Sequence, residues 1–259
     1  MRVAAIVEYD GSGFCGWQLQ DDVRTVQGVV EAAIGAVANE SVRIITAGRT
    51  DSGVHATGQV IHFDTSADRK PQSWVRGINS NLQHDVAILW AQQVDEDFHA
   101  RFRATGRHYQ YVILNRPTPP TYLYGKVTWD YRPLDVELMQ AAAEFLIGTH
   151  DFSSFRTVHC QAKDPVRELR ALTVQRKGET VLIHVYANAF LHHMVRNIAG
   201  VLMTIGAGEQ HPEWAQEVLV ARDRTLGGKT APADGLYLTA VEYPEHYNIK
   251  QLSPDSPLW

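Results

Sequence analysis

Apolar residues run almost without a break from Val3 to Tyr9, the pattern of a buried strand. Thr25 is placed to cap a helix in which Val26, Val29, Val30, Ala33, Ile34 and Val37 recur at the i, i+3, i+4, i+7 spacing of one buried face. Strands are predicted at Val42–Thr46 and Gln59–Phe63. Pro71 suits the first turn of a second helix, with Trp74, Val75, Ile78 and Leu82 on one face, and Val86–Val94 returns as a strand.

The order β-α-β-β-α-β predicts a split βαβ, ferredoxin-like unit. The second half repeats it: strand His108–Asn115, helix Asp135–Ile147 ended by Gly148, strands Ala171–Arg176 and Thr180–Ala187, a long helix around Leu191–Ile205, and a last strand Leu236–Tyr243. A helix from Pro212 to Ala221 reads as an insertion. The pattern therefore predicts an α+β fold of two ferredoxin-like (βαββαβ) halves, residues 1–104 and 105–259, joined through a central antiparallel sheet with a cleft between them.

A chain of 259 residues with 44% hydrophobic content is long enough for one large domain or two of ordinary size with real cores. Cys15 and Cys160 are far apart and form no Cys-x-x-Cys pair, which argues against a thiolate metal site or a disulfide framework and for a reducing, cytoplasmic compartment. The first apolar run is cut by Glu8, too soon for a signal peptide or a membrane span. Net charge −5 argues mildly against nucleic-acid binding. Distribution matters more: from Phe98 to Trp129 there is no Asp or Glu, while Arg101, Arg103, Arg107, Arg116 and Lys126 offer a local positive face. The plainer account is a basic edge strand kept soluble by its charges.

Candidate chemistry concentrates in Ala47-Gly48-Arg49-Thr50-Asp51-Ser52-Gly53-Val54-His55, directly after an apolar strand. Gly48 and Gly53 permit backbone conformations closed to other residues and let a ligand approach Asp51 closely. In a locally extended segment Arg49 and Asp51 share a side, and a guanidinium beside the carboxylate would hold it ionised. Asp in a glycine-rich turn is, on spacing alone, more often a simple turn residue. His192-His193 invites a metal reading, but adjacent helical residues point about 100° apart and cannot chelate one ion from one face, so no metal is expected. His55 and His62 read as structural, with no acid or cysteine at ligand spacing.

Gly48-Arg49-Thr50-Asp51 followed by a small residue and Gly53-Val54-His55 resembles the signature of the tRNA pseudouridine synthase A family. Glu8-Tyr9-Asp10-Gly11, Gly16-Trp17-Gln18, Phe98-His99-Ala100-Arg101-Phe102, Arg107-His108-Tyr109-Gln110-Tyr111, Asp151–Arg156, Phe190–Asn197 and Ala231–Leu238 are similar to its other blocks, in the same order along almost the whole chain. Ser52 stands where Ala is more usual, and its small side chain still fits the turn. The resemblance implies isomerisation of uridine to pseudouridine at positions thirty-eight to forty of the tRNA anticodon stem-loop, without a cofactor, by a homodimer. It implies Asp51 as the catalytic residue and Tyr109 as a ring stacked on the target uracil. Arg196 would approach the carboxylate, Arg49 would fill the place of the flipped nucleotide, Leu236 and Tyr237 would wall the uracil, and Lys229 would supply charge at the rim.

Two other functions fit the composition. A non-catalytic RNA-binding platform is consistent with ferredoxin-like sheets, but it leaves a carboxylate at the centre of a polyanion site unexplained. A hydrolase with Asp51 as nucleophile would need a second carboxylate about 5 Å away if it were a retaining glycosidase, and the motif supplies none.

Overall fold

The computed structural model describes residues 1–158 and 160–254. Among the described residues the chain divides into two compact units, one of Met1–Thr105 with residues 237–254, the other Gly106–Leu236. Among the described residues no helix is long and apolar enough to cross a membrane.

The first unit contains β1 (Arg2–Tyr9), α1 (Val26–Ala38), β2 (Ile44–Thr46), β3 (His55–Asp64), α2 (Pro71–Asn79) and β4 (Val86–Val94). β1 lies between β3 and β4, antiparallel to both, and β2 pairs antiparallel with the far half of β3. Both helices start where local chemistry places them: Thr25 Oγ1 accepts from the backbone N–H of Gly28, and Pro71 occupies the first turn of α2. Their apolar faces, with Val30, Ile34, Trp74 and Ile78 buried, close over Ala5, Ile61 and Phe63 of the sheet; Trp74 meets Phe63 edge-on at 5.4 Å.

The last strand, β10 (Leu236–Glu242), pairs with β3 in parallel, Tyr237 opposite His55 and Leu238 opposite Ala56. This corrects the purely antiparallel expectation and has a local cause. β2 stops at Thr46, where the chain bends through Ala47 and Gly48, so β2 covers only the Ile61–Phe63 half of that edge of β3. The unpaired backbone at His55 and Ala56 is then taken up by β10. The pairing also explains why residues 237–254 belong with the first unit.

The second unit contains β5 (Gly106–Asn115), β6 (Thr128–Asp130), α3 (Val136–Glu144), β7 (Gly148–Asp151), β8 (Val166–Lys177), β9 (Thr180–Ala187), α4 (Met194–Gly206) and α5 (Trp214–Ala221). β9 lies between β5 and β8, β8 pairs with β7, all antiparallel, and the short β6 runs parallel to β5. Asp135 caps α3 by accepting from the N–H groups of Glu137 and Leu138. α3 packs on α4 and β8, so that Met139, Leu172, Val174, Ile198 and Leu202 share one core. The α+β class holds in both units.

Candidate active site

Asp51 lies in the loop that joins β2 to β3, and the loop is fixed from several sides. Thr50 is anchored twice: its carbonyl accepts the N–H of Trp17 at 3.0 Å, and its hydroxyl shares a buried 2.8 Å hydrogen bond with that of Tyr9. β1 carries an irregularity between Val7 and Tyr9, the kind of bulge that re-aims a side chain beside a site. After the acid, Val54 donates its N–H to the Asp51 carbonyl at 3.1 Å, and Ser52 Oγ donates to Phe14 at 3.1 Å. Before it, Gln59 Nε2 donates to the Gly48 carbonyl at 2.6 Å.

Gly16 makes this packing possible. Its φ is +81°, and a Cβ there would stand 2.9 Å from the Thr50 oxygen and 3.1 Å from the Ser52 nitrogen. Asp51 itself is half-buried, on a loop whose flanking backbone is held by these bonds. Arg49 is exposed, and among the described residues no hydrogen bond or ion pair joins it to Asp51, a correction to the expected pairing.

Behind the loop, His55 is 1% exposed; its Nδ1 accepts the Gly11 N–H at 3.0 Å and lies 3.2 Å from Asp10 Oδ1, while its ring stacks on Tyr237 at 4.5 Å. His62 Nδ1 accepts the Ala100 N–H at 3.1 Å; burial, then Arg2 and His99, push its pKa down to about 4. Both rings act as structural acceptors. The acid beside His55 comes from Asp10, which spacing within the motif could not reveal.

In the second unit, Tyr109 is half-buried on β5 and meets Phe190 edge-on, with centroids 4.9 Å apart and planes at 80°. Tyr111 is fully buried, its hydroxyl 2.5 Å from Thr128 Oγ1 and donating to the Pro232 carbonyl at 2.8 Å; burial pushes its pKa up, so it is a neutral structural donor. Arg196 leaves the first turn of α4, and its Nε donates to the Ala231 carbonyl at 2.8 Å while Nη1 lies 3.3 Å from His193 Nε2. His192 and His193 are not helical, as the sequence reading assumed: they form the turn before α4, with His193 at φ +64°, a left-handed conformation that His tolerates better than most residues. Lys229 is exposed, and its carbonyl rests against Gly200, where a Cβ would overlap it. Leu236 is 6% exposed.

The sequence pattern of the tRNA pseudouridine synthase family matches residues 5–103 and 142–244. The chain belongs to the tRNA pseudouridine synthase family. It is 58% identical to tRNA pseudouridine synthase A of Nitrosococcus oceani over all of both chains, and 54% identical to that of Alcanivorax borkumensis over all of this chain and 97% of the relative. The Coxiella burnetii protein of the same name is 53% identical over 97% of this chain and 96% of its own. Members of this family are isomerases that act on tRNA, and this tRNA pseudouridine synthase carries Asp51, Arg196, Lys229 and Leu236 within the matched residues. Tyr109 falls between the two matched stretches.

The positive face expected from Phe98 to Trp129 is divided in this tRNA pseudouridine synthase. Arg101 and Arg103 belong to the first unit and Arg107, Arg116 and Lys126 to the second. Arg103 pairs with Asp97, just before the run, at 3.3 Å and Arg116 with the sequence-distant Glu179 at 3.1 Å, so acids outside the run neutralise part of it. Sequence reasoning also missed Tyr9 and Gly16 as the supports of the Asp51 loop. Their signal was present in the Tyr9-Asp10-Gly11 and Gly16-Trp17 blocks, which stand among the motifs although the expected chemistry gave them no role.

Proposed function

We propose that this enzyme converts uridine to pseudouridine at positions thirty-eight to forty of the tRNA anticodon stem-loop, with Asp51 as the catalytic residue. In that reaction the N1–C1′ bond breaks, the uracil turns over, C5 bonds to C1′, and C5 gives up its proton to a base. No redox partner or energy source is needed, and no cofactor is invoked. A carboxylate suits the task because it can attack C6, stabilise an oxocarbenium-like centre or remove the C2′ proton. The observation that carries the reading is the half-buried Asp51 on a loop tied to the first strand by the Tyr9–Thr50 hydroxyl bond, to Trp17 through the Thr50 carbonyl, and closely packed by Gly16.

A stacked uridine cannot reach such a loop, so the nucleotide must leave the stem at a cost of a few kcal/mol. On this reading Arg49 occupies the place it vacates, consistent with an exposed guanidinium free of Asp51. Tyr109 stacks on the uracil, Leu236 walls it, Arg196 steadies the Asp51 carboxylate and Lys229 meets the phosphate backbone at the rim. Modification at neighbouring positions favours recognition by backbone shape over base edges. The finer architecture belongs to the same proposal: two ferredoxin-like halves, residues 1–104 and 105–259, with the reaction in the cleft that divides them, in a cytoplasmic homodimer. The strand order β4-β1-β3-β2 of the first unit is what a βαββαβ chain gives, and it supports this view.

The test is release of tritium from tRNA labelled at uracil C5. Isomerisation frees the label to water, whereas binding or hydrolysis does not. Asp51→Ala is expected to abolish release and keep tRNA binding; release at the wild-type rate by that variant ends the assignment.

A further inference from the structure

The segment that carries Lys229 is held by a network that the chemistry above leaves unused. Arg224, half-buried, donates through Nη2 to Asn197 Oδ1 at 3.0 Å and Thr230 Oγ1 at 2.9 Å, and through Nη1 to the Gly228 carbonyl at 3.0 Å. Thr230 Oγ1 in turn donates to Asn197 Oδ1 at 2.7 Å, and Asn197 Nδ2 donates to the Phe155 carbonyl at 2.7 Å. Asn197 is 2% exposed and adjoins Arg196 on α4. At the far end of the same segment, Ala231 exchanges two bonds with Arg196: its N–H reaches the Arg196 carbonyl at 3.1 Å, and its own carbonyl accepts from Arg196 Nε at 2.8 Å.

The geometry assigns Arg224 as a positioning residue: it fixes residues 228–231 against α4 and, through the Ala231 carbonyl, sets the direction of the Arg196 guanidinium. The planar fork of arginine is required, because one group must reach two side-chain oxygens and a carbonyl in fixed directions, which an ammonium on a flexible stem does poorly. Asn197 does the complementary work on the helix, accepting from both Arg224 and Thr230 while its amide nitrogen is spent on Phe155. A residue that only stabilised the unit would lower stability without altering how Arg196 works. The inference rests on Arg196 and Lys229 serving the substrate as proposed above.

Two variants of the full chain test it, Arg224→Gln and the near-isosteric Thr230→Val, each alone and combined with Arg196→Lys. Amide hydrogen exchange at Ala231 reads the network directly, and single-turnover tritium release at saturating enzyme reads the reaction. Faster exchange at Ala231 is expected in both variants. Release should slow about tenfold or more in Arg224→Gln, since a 1 Å misplacement can cost about a hundredfold. Arg224→Lys should restore part of the rate, and adding Arg224→Gln to Arg196→Lys should cost little more than Arg196→Lys alone, because both act through one group. Unchanged exchange, an unchanged release rate, or losses that multiply across the pair would overturn the assignment. A wild-type protein that released no tritium would instead sink the functional reading, and the exchange measurement would still decide the network.

Discussion

The hydroxyls of Tyr9 and Thr50 share a 2.8 Å hydrogen bond in the interior of the first unit, where the two residues are 3% and 7% exposed. The bond ties the end of the first strand to the residue before the proposed catalytic acid. Tyr9→Phe keeps the ring and its tilted contact with Trp17 but removes a partner from a buried hydroxyl, which typically costs about 1–3 kcal/mol. The expected outcome is a lower denaturation midpoint together with slower tritium release. A variant as stable and as fast as the parent would show that the bond does not hold the loop.

Gly16→Ala attacks the same loop from the other side. A non-glycine residue at φ +81° is strained, by roughly 1–2 kcal/mol for an ordinary side chain in the left-handed region. Here the added Cβ also presses on backbone atoms of Thr50 and Ser52, which cannot rotate away. The loss of reaction rate should therefore exceed the loss of tRNA affinity, as measured by single-turnover release and by filter binding. Equal losses in both would place Gly16 in substrate binding instead.

The parts of this molecule that were legible in its sequence are those written in local chemistry. Thr25 and Asp135 cap α1 and α3, Pro71 starts α2, and the apolar spacing of Val26–Val37 and Met194–Ile205 falls on buried helix faces. What stayed hidden depends on neighbours distant along the chain. The β6 and β7 strands are three and four residues long and exist because β5 and β8 offer them an edge. β8 extends back to Val166 through Arg167 and Glu168, charged residues that read as loop until β7 pairs with them. The parallel entry of β10 and the buried bond from Thr50 to Tyr9 follow from long-range packing. Motif blocks to which the expected chemistry gave no role held the supports of the Asp51 loop, through Tyr9 and Gly16.

Acid should weaken the first unit in a defined window. His62 titrates near 6.5 when unfolded and near 4 in the fold, because burial, Arg2 and His99 disfavour its cation. The unfolded chain therefore binds the extra proton first. Stability from the neutral ring is complete above pH 6.5 and is lost progressively as pH falls to about 4, by roughly 2–3 kcal/mol at about 1.4 kcal/mol per unit. Glu40, held down to about 2 by hydrogen bonds from Thr65 and Ser66, adds a further loss below pH 4.5. His62→Asn retains an acceptor for the Ala100 N–H and removes the titration. Its denaturation midpoint should be flatter than the parent's between pH 6.5 and 4; parallel curves would exclude His62 as the source.

For Tyr109 the proposal places the work in the ring, so the order of two substitutions is diagnostic. Tyr109→Phe preserves a flat face for the uracil and the edge-on contact with Phe190. Tyr109→Leu removes both, and stacking is worth about 1–3 kcal/mol per base, or about a tenfold to hundredfold loss of release rate. The lost aromatic pair accounts for only about 0.5–1.5 kcal/mol of stability, so release must be measured at a temperature where both variants are folded. Phe faster than Leu supports stacking. Leu equal to Phe, with both far below the parent, would move the role to the hydroxyl and make Tyr109 a candidate for the base that accepts the C5 proton.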